Sequence, residues 1–266
     1  MYHLTKEKLN NEVAYVASLS GGKDSLAMIV RLINEGYPLT HILFYDTGME
    51  FRAIYRIVDK VRELAQTRGI TFVYLKPETD FLVDMLLRPI TKKATGEKQY
   101  GYDWCGGRCR WRTACKVSTI NKYLDTLVYY VQYIGIAVDE PTRIKDENDK
   151  CYPLVDWKMT EKDCLQYCYD NGWSWDEDGV ELYDILDRVS CWCCGNKNLK
   201  ELRNMYHYLP YYWELLKGLQ SRIDRPFYTD KTIFDLEERF KQEDAQMTLF
   251  DIGLCSGDCK TCKNCF

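Results

Sequence analysis

The feature that most constrains this chain is an apolar segment that leads into a glycine turn and then into a helical pattern. Residues 13–25 read VAYVASLSGGKDS. The apolar run before the turn predicts a strand, and the spacing of apolar residues after the turn predicts a helix. In such a unit the backbone N–H groups of the turn and the helix N-terminus attract anions together. Gly21 and Gly22 let the backbone approach phosphate oxygens closely, and Lys23 supplies a positive charge.

A different phosphate-binding turn, the Walker A loop, does not fit this segment. Its pattern G-x-x-x-x-G-K-[ST] places the first glycine at Ala17 and a serine or threonine at Asp24. Neither Ala17 nor Asp24 matches the residue that the pattern requires. The plainer alternative is a glycine turn that only connects a strand to a helix.

The overall composition limits the compartment and the kind of metal site. The chain has 266 residues, a formal net charge of −4 and 13 cysteines but only three histidines. The charge argues against a broadly basic nucleic-acid groove, although a local one stays open. The polar N-terminus and the lack of an 18-residue apolar run predict a cytoplasmic protein without a membrane span. In a reducing compartment many thiols favour iron–sulfur or structural zinc over disulfides.

Strand and helix patterns alternate along the first third of the chain. Predicted strands at 13–19, 40–48 and 71–76 enclose predicted helices, the second over 51–68. This alternation indicates an α/β fold with a Rossmann-like parallel sheet and helices on both faces. Ligands bind such sheets beyond the carboxyl ends of the strands, where the glycine turn and Asp46 both fall.

The remaining segments complete the predicted organisation. Residues 89–111 are polar, aromatic and rich in glycine, which favours an active-site loop. A helix at 113–124, a strand at 127–137 and a helix capped by Thr160 follow. We expect three parts: a nucleotide-binding domain at 1–198, a helical subdomain at 199–245 and a cysteine-rich tail at 246–266.

The glycine turn resembles the PP-loop, S-G-G-x-D-S, of the adenine-nucleotide α-hydrolase superfamily. Further segments resemble the phosphoadenosine-phosphosulfate (PAPS) reductase family of that superfamily, in the family's order. They are Asp46–Phe51 (DTGMEF), Arg110–Lys116 (RWRTACK), Gly135–Glu140 (GIAVDE) followed by Arg143, and Tyr152–Trp157 (YPLVDW).

The resemblance implies an adenine nucleotide (ATP, PAPS or adenylyl sulfate) as ligand, with Mg²⁺ as a possible companion. It implies catalytic roles for Lys23, Asp24, Lys116 and Arg143. The nucleotide-binding residues that it implies are Ser20, Gly21, Gly22, Lys23, Asp24, Ser25, Asp46, Arg110 and Glu140. Guanidinium groups suit phosphate oxygens, although Arg110, Glu140 and Arg143 could instead form a solvated ion-pair set.

The cysteines fall into groups with ligand-like spacing. Cys105, Cys109 and Cys115 lie in and after the predicted loop, and Cys191 and Cys194 form a C-x-x-C pair. Relatives with similar spacing carry a [4Fe–4S] cluster beside the nucleotide pocket. Iron–sulfur is the favoured interpretation here, with zinc or unliganded thiols as alternatives.

Other cysteines suggest different roles. Cys151, Cys164 and Cys168 fit buried core positions, the last two being four apart on one helical face. At the C-terminus, Cys255, Cys259, Cys262 and Cys265 are spaced closely enough to bind metal on their own. Two interpretations of these cysteines remain as alternatives. They could form a second cluster or a redox-active tail, or a metal-binding tail without a catalytic role.

A short peptide near the C-terminus suggests a partner. Residues Gln246–Phe250 read QMTLF, which matches the Q-x-x-L-F peptide that binds the DNA sliding clamp. The alternative is a Leu–Phe pair that packs back onto the domain. If the motif is real, the substrate shifts toward nucleic acid.

Three departures from the family leave the reaction open. Ala137 occupies a position where relatives often carry an anion-binding arginine, Arg112 replaces a common cysteine, and the E-C-G-L-H tail of thioredoxin-dependent PAPS reductases is missing. The motif order favours reduction of a sulfonate by a thiol reductant. The departures favour ATP-dependent thiolation of nucleic acid from a sulfur donor. A nucleotide sensor without turnover is the alternative from a different class.

Overall fold

The computed structural model describes residues 2–9, 12–93, 95–105, 107, 109 and 111–255, with side chains described except at 112–114 and 247–255. The chain divides into two compact units, residues 1–197 and 198–266. The strands are β1 (Val13–Leu19), β2 (His41–Tyr45), β3 (Thr71–Leu75), β4 (Pro89–Thr91), β5 (Lys98–Tyr100), β6 (Tyr129–Tyr133), β7 (Lys150–Cys151), β8 (Asp176–Glu177) and β9 (Val180–Glu181). The α-helices are α1 (Lys23–Asn34), α2 (Arg52–Thr67), α3 (Phe81–Leu86), α4 (Ser118–Leu124), α5 (Pro153–Asp156), α6 (Glu161–Asp170), α7 (Leu182–Ile185), α8 (Leu199–Tyr208), α9 (Pro210–Gln220) and α10 (Ile233–Cys255). A π-helical segment (Trp111–Val117) precedes α4, and a 3₁₀ turn spans Pro141–Arg143.

The first unit contains a parallel sheet of the order β3-β2-β1-β6-β7. The chain builds outward from β1 to β3 on one side and then returns to place β6 on the other side of β1. The connection therefore reverses direction between β1 and β6. Ligands of open α/β sheets bind at such a reversal, beyond the carboxyl ends of the strands.

Helices cover both faces of this sheet. On one face Ile120 and Leu124 of α4 pack against Val16, Leu43 and Tyr45. Alternate strand residues point to the opposite face, and there α1 packs against β1 and α2 against β3. The predicted α/β class with a Rossmann-like parallel sheet is therefore confirmed.

Local signals predicted several helix boundaries correctly. Thr160 accepts a hydrogen bond from the Asp163 N–H, and Asp163 accepts one from the Thr160 N–H, which makes a capping box at the start of α6. The three cysteines that were predicted to occupy core positions, Cys151, Cys164 and Cys168, are completely buried.

The predicted strand at 127–137 is too long. β6 ends at Tyr133, and the chain beyond it packs on the PP-loop at Gly135, where a Cβ would lie 2.9 Å from the Cα of Ser25. The predicted loop at 89–111 also contains regular structure, since β4 and β5 pair as an antiparallel hairpin.

The second unit consists of helices with an aromatic interior. Asn198 and Glu201 form a capping box at the start of α8. The rings of Tyr206, Trp213 and Phe240 pack against one another, with centroids 5.5 to 5.9 Å apart. Helix α10 runs across position 246, where we expected a tail to begin, and the three-part division stays a prediction.

Two C-terminal predictions reach the limit of the described chain. The backbone of Gln246–Phe250 belongs to α10, but the side chains from 247 onward lie outside the described residues. Cys259, Cys262 and Cys265 lie outside them as well. Within the described residues, no helix is long and apolar enough to span a membrane.

Candidate nucleotide and thiol site

The PP-loop (Ser20–Ser25) connects β1 to α1 and needs its glycines. Gly21 has a φ of +77°, and a Cβ there would lie 2.7 Å from Cγ2 of Ile54. Both the conformation and the space therefore exclude a larger residue. The Ser25 hydroxyl accepts a hydrogen bond from the Ser20 N–H at 3.0 Å and donates one to the Gly22 carbonyl at 3.1 Å, which closes the loop.

Two aromatic residues hold the PP-loop through hydrogen bonds to its backbone. The sequence analysis did not identify either of them. The indole N–H of Trp175 donates to the Gly21 carbonyl at 2.7 Å, and the Tyr183 hydroxyl accepts from the Lys23 N–H at 2.8 Å. Their rings meet edge to face at 4.7 Å. These residues lie more than 150 positions away in sequence, so no local pattern could connect them to the PP-loop.

Lys23 is buried and already paired. Its Nζ lies 2.5 Å from Oε2 of Glu161 and 3.7 Å from Oδ1 of Asp24. Glu161 is the first residue of α6, and its N–H donates to the carboxylate of Asp139 at 3.2 and 3.3 Å. Glu161 was also missed, since in sequence it reads only as an acidic first-turn residue.

The segment after β6 lies directly on the PP-loop. Gly135 packs against the backbone of Ser25 and Asp24, so the predicted Gly135–Glu140 element reaches the phosphate end of the loop. Glu140 forms an ion pair with Arg143. The charges of both residues act on Asp24, which places this pair beside the PP-loop.

The surroundings of Asp24 disfavour its ionised form. The pKa of Asp24 is raised to about 6, mainly by burial, and the carboxylates of Glu161 and Glu140 act in the same direction. The cations of Lys23 and Arg143 act in the opposite direction without cancelling the effect. One oxygen of Asp24, Oδ1, is buried without a hydrogen-bond partner among the described residues.

Asp46 stands at the end of β2, at the same edge of the sheet. Its Oδ1 accepts hydrogen bonds from the Gly48 N–H at 2.7 Å and the Tyr55 hydroxyl at 2.8 Å, and its Oδ2 accepts from the Tyr74 hydroxyl at 2.7 Å. Burial and the Asp46 carboxylate raise the pKa of both tyrosines. These three hydrogen bonds therefore fix the orientation of the Asp46 carboxylate.

The loop after Asp46 connects the nucleotide end of the sheet to the cysteines. The Thr47 hydroxyl donates to Oε1 of Glu50 at 3.0 Å and lies 3.5 Å from the Sγ of Cys191. The Trp192 N–H donates to the Met49 carbonyl at 3.0 Å. Burial raises the pKa of Glu50, and the nearby cation of Lys116 opposes that shift. Lys116 therefore lies on the thiol side of the site.

Backbone contacts join the two predicted ligand groups. The Gly195 N–H donates to the Cys105 carbonyl at 3.2 Å. The side chain of Asn196 accepts from the Gly107 N–H at 2.6 Å and donates to the Gly107 carbonyl at 3.2 Å. The loop that carries Cys105 and Cys109 thus lies against the turn that carries Cys191 and Cys194.

Cys115 has a different environment. It packs at the edge of the α4 core beside Tyr45, and it lines a cavity of about 230 Å³ together with Asp84 and Arg88. The π-helical segment turns it toward the α4 face of the sheet. Arg110, a predicted nucleotide contact, lies outside the described residues.

The buried residue Lys197 indicates whether the group of cysteines suits an anionic cofactor. Lys197 is 3% exposed, and its Nζ has no hydrogen-bond partner among the described residues. Burial raises the pKa of Cys193, and the charge of Lys197 acts in the opposite direction. A buried ammonium is costly without a compensating negative charge. Thiolates, or a cluster held by them, would supply that charge, so these residues fit an iron–sulfur group.

Zinc stays the alternative from the sequence analysis. A zinc ion would draw four ligands within about 2.3 Å of one point. In the described part of the chain, no three His, Cys, Asp or Glu side chains converge on a metal position.

The site as a whole defines a class of protein. A parallel sheet carries at one edge the PP-loop, the acidic residues around it and a group of cysteines. A family model for the phosphoadenosine phosphosulfate reductase domain matches residues 14–194, more than half of the chain. The protein belongs to this family.

Individual relatives are distant. An uncharacterized protein from Methanocaldococcus jannaschii is 23% identical over 235 residues, which cover 79% of this chain and 42% of that protein. This chain therefore spans less than half the length of that curated relative. Among solved structures, the U34-tRNA thiolase NcsA from Methanococcus maripaludis with its [4Fe-4S] cluster matches with a TM-score of 0.46 and 14% identity, over 98% of this chain and 80% of that one.

Replacing Asp24 should stabilise the protein in a pH-dependent way. Its raised pKa means that the folded state binds the proton more tightly than the unfolded state, so stability falls as the pH rises from about 4 to 6. Asp24→Asn should therefore raise the free energy of unfolding by up to about 3 kcal/mol near pH 8, with the gain vanishing near pH 4. Urea unfolding at both pH values measures this. The exposed control Asp59→Asn should show no such pH dependence, and an equal gain at both pH values would contradict the explanation.

Removing the buried cation should weaken an iron–sulfur cluster. Lys197→Met keeps the volume and deletes the charge, so we expect less iron and sulfide and weaker visible absorption after anaerobic purification. For the wild type, Lys197→Arg and the exposed control Lys200→Met we expect the same iron content, about four atoms per chain. Unchanged iron in Lys197→Met would show that Lys197 does not balance the cluster.

Proposed function

We propose that this protein binds ATP with Mg²⁺ at the PP-loop and uses it to activate an oxygen of a nucleic acid for replacement by sulfur. One observation supports this most: the PP-loop, the Gly135–Glu140 segment and the cysteine turn meet at one edge of the sheet. A phosphate site and a thiol site that share an edge suit a reaction that joins nucleotide activation to sulfur chemistry.

The charge around the PP-loop favours ATP with Mg²⁺ over a metal-free anion. Asp24, Glu140 and Glu161 surround the loop, against the cations Lys23 and Arg143. A polyphosphate entering this acidic surround needs further positive charge. Mg²⁺ is usually held by phosphates and one or two carboxylates, with several waters retained.

The residues of the loop have separable roles in this proposal. The N–H groups and hydroxyls of Ser20, Gly21, Gly22 and Ser25 would bind the terminal phosphates, and Asp46 would hold the nucleoside side through its loop. Lys23 would exchange Glu161 for a phosphate oxygen, since a charged hydrogen bond to phosphate is strong. Arg143, and Arg110 from the sequence prediction, would add guanidinium contacts.

The proposed reaction has two balanced steps. An acceptor oxygen attacks the α-phosphorus of ATP, the α–β phosphoanhydride bond breaks, and pyrophosphate leaves. Sulfur from a donor then attacks the activated atom, and AMP leaves with the original oxygen. Lys23 and Mg²⁺ would stabilise the charge that develops on the departing pyrophosphate.

The thiol group would serve the second step. Cys105, Cys109, Cys191 and Cys194 are the residues that would hold a [4Fe–4S] cluster, and Cys115 stays an alternative ligand from the sequence prediction. When bound, such a cluster supplies a site for a sulfur species or for electrons. The cysteine content also supports a cytoplasmic location, where thiols stay reduced.

Reduction of PAPS or adenylyl sulfate is the second candidate, because the matching family model carries the name of that reaction. Against it, Ala137, at the position where relatives often carry an anion-binding arginine, is completely buried and offers no charge. A reductase would also need a thiol reductant as partner. The sliding clamp as partner stays a prediction from QMTLF alone.

A product assay separates the candidates. Anaerobically purified protein receives ATP, Mg²⁺, sulfide and mixed nucleic acid in one tube, and PAPS with a dithiol in another. We expect pyrophosphate in the first tube that depends on nucleic acid, and its loss in Lys23→Ala because the phosphate charge is no longer balanced. The exposed control Lys60→Ala should keep the activity.

The other outcomes are informative as well. Sulfite in the second tube without pyrophosphate in the first would establish the reductase. No product in either tube, together with nucleotide binding that Lys23→Ala abolishes, would favour a sensor.

A further inference from the structure

Positive charge is concentrated in one stretch of this acidic protein. Residues 88–122 contain nine Lys and Arg against two Asp and Glu, and the other residues of the chain contain 27 against 38. Four aromatic residues stand in the same stretch: Tyr100, Tyr102, Trp104 and Trp111. A basic stretch with interleaved aromatic residues is typical of nucleic-acid binding.

The β4–β5 hairpin presents part of this charge to solvent. In its register Pro89 pairs with Tyr100 and Thr91 with Lys98. Directly opposed residues share a face, and so do residues two apart on one strand. Lys98 and Tyr100 therefore lie on the same face, and the Tyr100 side chain is 76% exposed.

The lysines of this hairpin differ in their pairing. Lys92 forms an ion pair with Glu97, 3.0 Å apart, near the tip. Lys93 and Lys98 are exposed, and neither forms an ion pair among the described residues. The Tyr100 ring shares a face with Lys98, and Lys93 lies at the turn of the hairpin. The ring can stack on a base while the two ammonium groups contact nearby phosphates.

The base of the hairpin is held firmly. The Gly101 N–H donates to the Arg88 carbonyl at 2.8 Å, and a Cβ at Gly101 would lie 2.1 Å from the Met85 carbonyl oxygen. Arg88 in turn pairs with the buried Asp84 at 3.0 Å. The hairpin is thus a persistent element built on α3.

The hairpin also leads into the site. Only four residues separate Tyr100 from Cys105, whose carbonyl accepts the hydrogen bond from Gly195. At its base, Arg88 lines the cavity that also contains Cys115 and Lys122. A chain bound along the hairpin would be delivered to the thiol end of the site.

We propose that the β4–β5 hairpin is a docking surface for single-stranded nucleic acid, with Lys93 and Lys98 on phosphates and Tyr100 stacked on a base. This inference rests on the proposed function for its biological meaning, because it names the surface that receives the acceptor. An acidic peptide would meet the lysines but leave the exposed ring without a stacking partner.

The test measures binding in the absence of ATP, so it does not depend on turnover. A labelled oligonucleotide of about 15 residues is titrated with the full chain, and anisotropy is followed between about 50 and 200 mM salt. Lys93→Glu with Lys98→Glu should weaken binding at least about ten-fold and lower the salt slope by about 1.4, since two phosphate contacts are lost. Tyr100→Ala should weaken binding roughly ten-fold with the slope unchanged.

Matched controls separate local charge from net charge. Lys60→Glu with Lys231→Glu changes two exposed lysines elsewhere and should stay within about two-fold of the wild type. The oligonucleotide is titrated without ATP, so a failure of nucleotide binding leaves this test intact. A wild type that does not bind, an equal loss in both double variants, or equal competition by polyglutamate would overturn the proposal.

Discussion

The close packing of Gly135 on the PP-loop is the contact on which the rest of the site depends. It occurs where the sheet reverses direction between β1 and β6, and it leaves no room for a side chain at Gly135. Because the backbones touch, the Glu140–Arg143 pair comes near Asp24, and Glu161 at the start of α6 pairs with Lys23. A bulkier residue at Gly135 would separate the PP-loop from these charged residues.

The second feature of the site is a set of charged groups that a bound ligand would stabilise. Lys23 is paired with Glu161, Asp24 carries a raised pKa, and Lys197 is buried without a hydrogen-bond partner among the described residues. Each arrangement costs free energy on folding, and a bound anion, metal or cluster would offset that cost. Functional sites commonly hold such groups, because ligand binding then recovers the free energy that was lost on folding.

Local patterns predicted the parts of the protein that local forces determine. The β1–turn–α1 unit, the capping box at Thr160 and the buried Cys164–Cys168 face follow from spacing alone, and the parallel sheet follows from their alternation. Contacts between distant segments could not be predicted in this way. Trp175, Tyr183 and Glu161 act on the PP-loop through the tertiary fold, and Cys115, within the π-helical segment, packs at the edge of the α4 core.

We propose that the acidic residues around the PP-loop make it a site for ATP with Mg²⁺. Calorimetric titration of the anaerobically purified protein with ATP, with and without Mg²⁺, and with PAPS tests this directly. We expect Mg²⁺ to tighten ATP binding by at least about ten-fold, equivalent to about 1.4 kcal/mol, and metal-free PAPS to bind more weakly than ATP with Mg²⁺. Tight binding of PAPS without metal, together with ATP binding that Mg²⁺ does not change, would contradict it.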